Sequence, residues 1–289
     1  MDNRTLLYLL KQQFNQSFHE WDKNQPARTG FHASSALESE SDFCTRQHVI
    51  AEKYPEARQT KDQYLPSLQK FVNGWALHKK WQEDLLKPTG LVKMGIVIRK
   101  QANPRITISK PELDLTHTDP ETHIEYSPDI ILSFAGLTIP IEIKGINTLD
   151  FQGCPDLYLE SGERYEEARS GIRGATLQEA AARNKSIRSA IPQLNLYLHL
   201  LGLTTPPNNR GIILVEDKNT QEYELFVHEY DHELAILPVM RAFHVRTSNE
   251  HFDFNDGSLP ERNYLCTSVN SARAKRCPFR TKCFTLMKG

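Results

Sequence analysis

Residues 126–144 read YSPDIILSFAGLTIPIEIK, in which two short apolar runs flank an Ala-Gly pair. Runs of apolar and β-branched residues at this length indicate strands, and the pattern predicts them at Asp129–Phe134 and Leu137–Lys144. Because the Ala-Gly pair has the length of a two-residue hairpin loop, we expect the two strands to be antiparallel neighbours. The stretch therefore predicts a β-hairpin with Phe134 opposite Leu137.

Charged side chains interrupt this hairpin at three positions. Counting outward from the loop puts Asp129 opposite Glu142, and opposed residues of an antiparallel pair point to the same face. Lys144 follows Glu142 by two residues, so it shares that face. A charge in an apolar strand is costly unless it serves a function, although a turn-capping Asp129 beside an exposed Glu142–Lys144 ladder is the alternative. The spacing predicts two carboxylates and one ammonium side by side.

This group of side chains matches the chemistry of phosphodiester hydrolysis. Paired carboxylates supply the hard oxygen ligands that recruit Mg²⁺ or Mn²⁺, which neutralises phosphate charge and lowers the pKa of a bound water. A neighbouring lysine can orient that water and stabilise charge in the transition state. Without a cation, Asp129 and Glu142 would repel each other. We therefore expect a metal-dependent hydrolase built on Asp129, Glu142 and Lys144.

The rest of the chain predicts a mixed α/β fold. Met1 to about Leu86 has a mainly helical pattern, and Leu91–Ile108 carries the β-branched residues typical of strands. The predicted elements after the hairpin are, in order, a helix at Glu163–Arg188, a helix that begins at Pro192 and ends at Leu201, strands at Gly211–Glu216 and Glu222–His228, and a helix at His232–His244. This order predicts an α/β core with a helical front and a cysteine-bearing tail.

Charge and hydropathy say little about partners. The net charge of −1 neither favours nor excludes a nucleic acid. From Arg262 onward there are seven Lys or Arg and no Asp or Glu, a basic tail that either holds phosphate or is a solvated surface. No apolar run reaches the roughly 20 residues of a membrane span, and the first residues lack the basic start of a signal peptide. We expect a cytoplasmic protein without a membrane partner.

Four motifs resemble those of the PD-(D/E)xK nuclease superfamily, and two of them resemble its RecB-like branch. Pro128-Asp129 and Glu142–Lys144 resemble the signature of the superfamily. Gly74–His78 is similar to the helix whose histidine joins the metal shell, and Gln193–Gly202 is similar to the helix that carries a glutamine and a tyrosine. The motifs occur in the order of the family. The resemblance implies a restriction-endonuclease-like mixed central sheet flanked by helices.

The resemblance also implies a role for each residue. Lys144 would serve the attacking water. Gln193 and Tyr197 are four residues apart, so they share one helix face, and they would steady the lysine or the DNA backbone. The ligands of Mg²⁺ or Mn²⁺ would be His78, Asp129, Glu142 and the carbonyl of Ile143.

The resemblance divides the chain into three regions. Residues 1–90 form a helical N-terminal region that contributes Cys44 and His78, and residues 91–245 form the nuclease core. Residues 246–289 form a basic, cysteine-rich tail that is expected to pack back on the N-terminal region.

Five cysteines in a chain without a secretion signal argue against a disulfide framework. Several RecB-like nucleases, including the CRISPR-associated iron–sulfur exonucleases, hold a [4Fe–4S] cluster with one cysteine before the core and three after it. The ten residues between Cys266 and Cys277 depart from the two that are usual in that family. Structural zinc or unliganded thiols are the alternatives, and Cys154 is expected to be an ordinary buried thiol. The cysteines with the family's distribution are Cys44, Cys266, Cys277 and Cys283.

The expected function is that of a metal-dependent deoxyribonuclease. By resemblance it is an exonuclease that acts on single-stranded DNA or DNA ends in DNA repair, recombination or CRISPR adaptation. DNA is the expected partner, together with other proteins of a repair or CRISPR assembly. Two alternatives are a non-catalytic nucleic-acid-binding scaffold subunit and a site-specific endonuclease.

Overall fold

The predicted hairpin is present in the computed structural model. Its first strand has the bounds Ile130–Phe134 and its second Leu137–Ile146. The register pairs the last residue of the first strand with the first residue of the second, as predicted. The Ala-Gly pair between them lies outside the described residues. The ladder ends at Ile130, so Asp129 lies one residue before it, in a bend.

The structure describes residue 16 and residues 30–58, 72–74, 76–81, 96–99, 117–134, 137–154, 157–158, 164–166, 169–252 and 259–286. Its strands within these ranges are β1 (Phe31–His32), β2 (Ile96–Arg99), β3 (His117–Thr118), β4 (Ile124–Tyr126), β5 (Ile130–Phe134), β6 (Leu137–Ile146), β7 (Gly153–Cys154), β8 (Leu157–Tyr158), β9 (Arg164–Glu166), β10 (Arg169–Ser170), β11 (Arg210–Asp217) and β12 (Tyr223–Glu229). Its labelled helices are α1 (Ala33–Ala36), α2 (Thr45–Lys53), α3 (Thr148–Gln152), α4 (Leu177–Arg183), α5 (Lys185–Leu200), α6 (His232–Glu250), α7 (Ala272–Arg276) and α8 (Arg280–Thr285). Residues 72–74 and 76–79 are also helical, and residues 80–81 form a π turn.

The predictions for residues 1–15, 17–29, 59–71, 82–95 and 100–116 lie outside the described residues. None of the helices that the structure describes is both long and apolar enough to cross a membrane.

A five-stranded mixed sheet contains the hairpin. The strand order is β12–β11–β6–β5–β2, with β6 parallel to β11 and antiparallel to β5. The predicted strand pair at the end of the sheet is confirmed, since β11 and β12 form an antiparallel hairpin. β6 therefore has a hydrogen-bonded neighbour on each side, and its side chains point alternately to the two faces of the sheet. The mixed α/β class is confirmed.

Helix α5 covers one face of this sheet. Its Leu194 is fully buried in a core cluster with Ile213 and Val215 of β11. The parallel register aligns Ile213 with Glu142 and Val215 with Lys144. Since residues in register on neighbouring strands share a face, Glu142 and Lys144 point to the side of the sheet that α5 covers.

The predicted start of α5 at Pro192 is wrong. The helix begins at Lys185, because the side chain of Asn184 accepts hydrogen bonds from the N–H groups of Ser186 and Ile187. Pro192 lies inside the helix, where it lacks the N–H that would bond to Arg188. An effective cap upstream therefore decides the start of the helix, and the proline is tolerated within it.

The predicted helix at Glu163–Arg188 is wrong in its first half. Residues Arg164–Glu166 and Arg169–Ser170 are strands, and α4 begins only at Leu177. Thr176 and Glu179 form a capping box there, in which each side chain accepts from the backbone N–H of the other residue. The residues before this cap are polar, but polar composition alone does not make them helical.

The chain divides into two compact units. One, here the sheet unit, comprises His32–Glu38 and His78–Phe243. The other, here the cysteine unit, comprises Met1–Phe31, Ser39–Leu77 and His244–Gly289. The units are assembled from separate stretches, whereas the sequence prediction used three consecutive regions.

Within the cysteine unit, side chains of the tail bind the segment around Cys44. The amide of Asn263 donates to the carbonyls of Ser41 and Phe43 at 3.2 and 2.9 Å. The amide of Asn249 donates to Glu52 of α2. These bonds hold the last part of the chain against the residues that precede and form α2.

Candidate active site

Asp129 is held from two sides. Its Oδ1 lies 3.1 Å from Nδ1 of His78, and its Oδ2 accepts the backbone N–H of Ile143 at 2.7 Å. The side chain is 13% exposed. The structure thus brings together the two residues that the sequence assigned to separate motifs, and it fixes the carboxylate against β6.

Glu142 is a buried carboxylate with one free oxygen. Its Oε1 lies 2.5 Å from Nζ of Lys144, whereas its buried Oε2 has no hydrogen-bond partner among the described residues. The residue is only 2% exposed. Burial, followed by the negative charge of Asp129, raises the pKa of Glu142 to about 7. Lys144 and His78 act in the opposite direction and do not cancel this increase.

The carboxylates of the site raise the pKa of both of its basic side chains. Burial works to lower the pKa of Lys144, but the charge and hydrogen bond of Glu142 outweigh it, and the pKa is raised. Burial likewise works to lower the pKa of His78, but its hydrogen bond to Asp129 and the nearby carboxylate charges raise it overall. The site is therefore a cluster of four ionisable side chains in which each carboxylate contacts one basic group.

The carboxylates and the imidazole of the site are possible ligands of a divalent cation. Among the described residues, no three His, Cys, Asp or Glu side chains already have the arrangement of a metal site. The donor set nevertheless fits Mg²⁺ or Mn²⁺, because two carboxylates and an imidazole adjoin and the buried Oε2 of Glu142 lacks a partner. A buried acceptor without a hydrogen-bond partner is stabilised when a cation binds to it.

The backbone of Ile143 is also directed toward Asp129. Its N–H points to Asp129, and the N–H and C=O of a residue in a hydrogen-bonded strand pair point to the same neighbouring strand. The carbonyl of Ile143 is therefore directed toward the side on which Asp129 lies. Its role as a metal ligand stays a prediction.

Gln193 and Tyr197 meet on α5, as their spacing predicted. Nε2 of Gln193 donates to Oη of Tyr197 at 2.7 Å, and Tyr197 is 4% exposed. The ring of Tyr126 lies 6.2 Å from that of Tyr197, centroid to centroid. Because α5 covers the face that carries Lys144, the pair lies on the correct side of the sheet, and a direct contact with the lysine stays a prediction.

One charged cluster was missed by the sequence prediction. Glu216, at the end of β11, is 2% exposed and accepts from Nζ of Lys80 and from Nε1 of Trp81, each at 2.5 Å. Lys80 and Trp81 directly follow the segment that carries His78. The signal was a charge at the end of the apolar run Ile212–Val215, the same kind of signal that pointed to Glu142.

In the cysteine unit, the four predicted ligand cysteines lie in one neighbourhood. Burial raises the pKa of Cys266, and the thiols of Cys44 and Cys283 add to the increase. Burial also raises the pKa of Cys277, again with contributions from Cys283 and Cys44. Cys277 and Cys283 share an apolar cluster with Ile50. The described thiols are thus close enough to act on one another, although they do not form a ready coordination shell.

Cys154 belongs to the sheet unit and lies in the short strand β7. It is half-buried, whereas the sequence predicted an ordinary buried thiol.

No protein-family model matches this chain. No curated protein matches it. A solved structure described as the crystal structure of SSO0001 aligns with 96% of this chain and 98% of its own, at 13% sequence identity and a TM-score of 0.40. Similarity at that TM-score is too weak to indicate a shared fold or function.

Proposed function

We propose that this chain is a metal-dependent deoxyribonuclease of the PD-(D/E)xK type, with a restriction-endonuclease-like arrangement of its sheet unit. The observation that supports this most is the pairing of the partly buried Asp129 with His78 and of the buried Glu142 with Lys144, in which Oε2 of Glu142 has no hydrogen-bond partner among the described residues. A buried acceptor of this kind is one that a bound cation can satisfy.

The side chains have separate tasks in this proposal. His78, Asp129, Glu142 and the carbonyl of Ile143 would hold Mg²⁺ or Mn²⁺, which when bound neutralises phosphate charge and lowers the pKa of a water. Lys144 keeps its proton because Glu142 raises its pKa. Its Nζ can therefore donate hydrogen bonds to a water oxygen or to a phosphate oxygen and stabilise negative charge that develops there.

The remaining parts of the proposal concern the substrate. DNA with free ends or single-stranded DNA is the proposed substrate, in repair, recombination or CRISPR adaptation, and the enzyme is proposed to act in the cytoplasm. The aromatic side chain of Tyr197 can stack on unpaired bases only if it is reached from solvent, and its 4% exposure favours a positioning role instead.

The test is cleavage of end-labelled DNA in Mn²⁺ and Mg²⁺. Linear, end-protected and closed circular substrates are compared, because an exonuclease requires an end. The inactive variants are expected to be Asp129→Ala, Glu142→Gln and Lys144→Ala. Two matched controls lie on the surface of the same sheet unit: Glu229→Gln, which is 60% exposed, and Lys218→Ala, whose backbone bond to Ile146 survives the substitution.

Cleavage that is lost in the three site variants and kept in the two controls supports the proposal. DNA binding without cleavage in either metal would instead indicate a scaffold subunit. Discrete products from closed circular DNA would indicate a site-specific endonuclease.

We further propose a metal–thiolate centre at Cys44, Cys266, Cys277 and Cys283, a [4Fe–4S] cluster with zinc as the alternative. The support is that four soft thiols occur in one unit and that Cys44 and Cys283 act electrostatically on both Cys266 and Cys277. Protein purified without oxygen is expected to be brown and to contain iron and sulfide in about equal amounts. A colourless protein with stoichiometric zinc would establish the alternative.

A further inference from the structure

Two arginines are buried beside the four cysteines. Arg46 is 4% exposed and donates to the carbonyls of Pro260 and Cys283 at 3.0 and 3.3 Å. In the part of the chain that the structure describes, its Nε has no hydrogen-bond partner. Carbonyl oxygens satisfy some of the N–H groups, but they do not balance the charge of a guanidinium.

Arg273 is also a buried arginine whose guanidinium donates to uncharged oxygens. It is 7% exposed and donates to the carbonyl of Asp42 at 2.5 Å and to Oε1 of Gln47 at 3.3 Å. No described residue forms a hydrogen bond with its Nε. The carboxylate of Asp42 lies instead 3.7 Å from the exposed Arg276. Within the described residues, neither buried guanidinium has a carboxylate at ion-pair distance.

A buried guanidinium without an anion is unusual, because arginine keeps its charge and desolvation is costly. The carboxylate of Asp42 contacts Arg276, so the cysteines are the groups beside both buried arginines that can supply a negative charge to them. Arg273 lies within electrostatic range of the thiols of Cys266 and Cys277. Arg46 follows Cys44 by two residues and binds the backbone of Cys283. The two buried guanidiniums therefore lie beside the thiols, where the partly buried Arg262 also acts on Cys266.

We propose that Arg46 and Arg273 are the buried counter-charges of an anionic metal–thiolate centre. This inference rests on the metal centre proposed above and does not involve the nuclease site. Four thiolates around either a zinc ion or a [4Fe–4S] core have a net charge of about −2, which the two guanidiniums neutralise. Charges near such a centre set how firmly it is held and, for an iron–sulfur cluster, its reduction potential.

The ten-residue segment between Cys266 and Cys277 supplies one of these charges. Ser271 caps helix α7 by accepting from the N–H of Ala274, and Arg273 is in the first turn of that helix. The segment that departs from the family's usual spacing therefore contributes a counter-charge and does not merely lengthen a loop.

The test separates charge from structure. At each of the two positions, a Gln variant removes the charge but keeps an amide donor, and a Lys variant keeps the charge but removes the planar fork. Arg276→Gln is the matched control, because its side chain is 66% exposed. The proteins are purified without oxygen, and iron, sulfide and zinc contents, the rate of metal release to a chelator and, for an iron centre, the reduction potential are measured.

Arg46→Gln and Arg273→Gln are expected to release metal about tenfold faster or more, with Arg→Lys close to wild type. An iron–sulfur centre is expected to have a lower reduction potential in the Gln variants, because less positive charge stabilises the reduced, more negative state.

Equal impairment by Gln and Lys would overturn the inference, since the hydrogen bonds and not the charge would then matter. Unchanged release in both would overturn it as well, and so would wild-type protein without bound metal. None of these outcomes depends on DNA cleavage, so the nuclease proposal can fail while this one stands.

Discussion

The backbone N–H of Ile143 donates to Oδ2 of Asp129 at 2.7 Å, so a residue outside the β-ladder is tied directly to the central strand β6. The other oxygen of Asp129 is then available to His78. One carboxylate oxygen therefore holds Asp129 against β6, and the other can take part in the chemistry of the site.

Asp129→Asn is expected to lower DNA cleavage on the order of 100-fold while the protein stays folded. The amide can still accept from Ile143 through its oxygen, but it has no charge to hold a cation or to pair with His78. The loss of one charge-assisted hydrogen bond costs about 1 kcal/mol of unfolding free energy. Mn²⁺ titration and urea unfolding measure the two effects separately. Unimpaired Mn²⁺ binding would remove Asp129 from the ligand set.

Glu142 is expected to make the metal-free protein less stable as pH rises. Its pKa is about 7 in the folded protein against an ordinary value of 4.5, so the unfolded chain releases this proton first. The stability that the protonated group contributes is complete below about 4.5 and is lost as pH rises through 7.

The measurement is the melting temperature from pH 4.5 to 8 in the presence of a chelator. Glu142→Gln is expected to flatten this dependence and to be more stable than wild type at pH 8. Mn²⁺ is expected to restore the wild type and not the variant. Parallel pH curves for the two proteins would contradict the assignment, and Glu229→Gln provides the exposed control.

The hairpin and its charged residues were predictable because strand alternation is a local rule. Two-residue periodicity and a short loop placed Glu142 and Lys144 on one face, and the register confirms the pairing of Phe134 with Leu137. The contact between Gln193 and Tyr197 was predictable for the same reason, since a helix brings residues four apart together.

What the sequence did not predict depends on distant contacts. Glu216 matters because Lys80 and Trp81, more than 130 residues away in the chain, meet it. Arg46 and Arg273 have the appearance of surface charges in the sequence, and only the packing of the tail shows that they are buried. The start of α5 was mispredicted because Pro192 was given more weight than the cap at Asn184.

Glu216→Gln is expected to lower the unfolding free energy by about 2–4 kcal/mol and to weaken cleavage in parallel. The variant leaves Lys80 with a neutral partner and loosens the segment that carries His78. Guanidinium unfolding of Glu216→Gln, Lys80→Met and the double variant measures the coupling. Additive effects would show that the pair does not act as a unit, and Glu229→Gln is expected to change stability by no more than about 0.5 kcal/mol.

Tyr197→Phe removes one hydroxyl and tests how the Gln193–Tyr197 pair acts. Loss of the hydrogen bond is expected to cost about 1 kcal/mol of stability. If the pair steadies Lys144, the cleavage rate constant falls about tenfold while the Kd for DNA and its salt dependence stay unchanged. If the pair instead binds the DNA backbone, the Kd rises and the rate constant at saturating DNA is unaffected. Because Tyr197 is almost fully buried, we expect the first pattern. Single-turnover kinetics at several salt concentrations distinguish the two, with Tyr264→Phe, at a 68% exposed position, as the control.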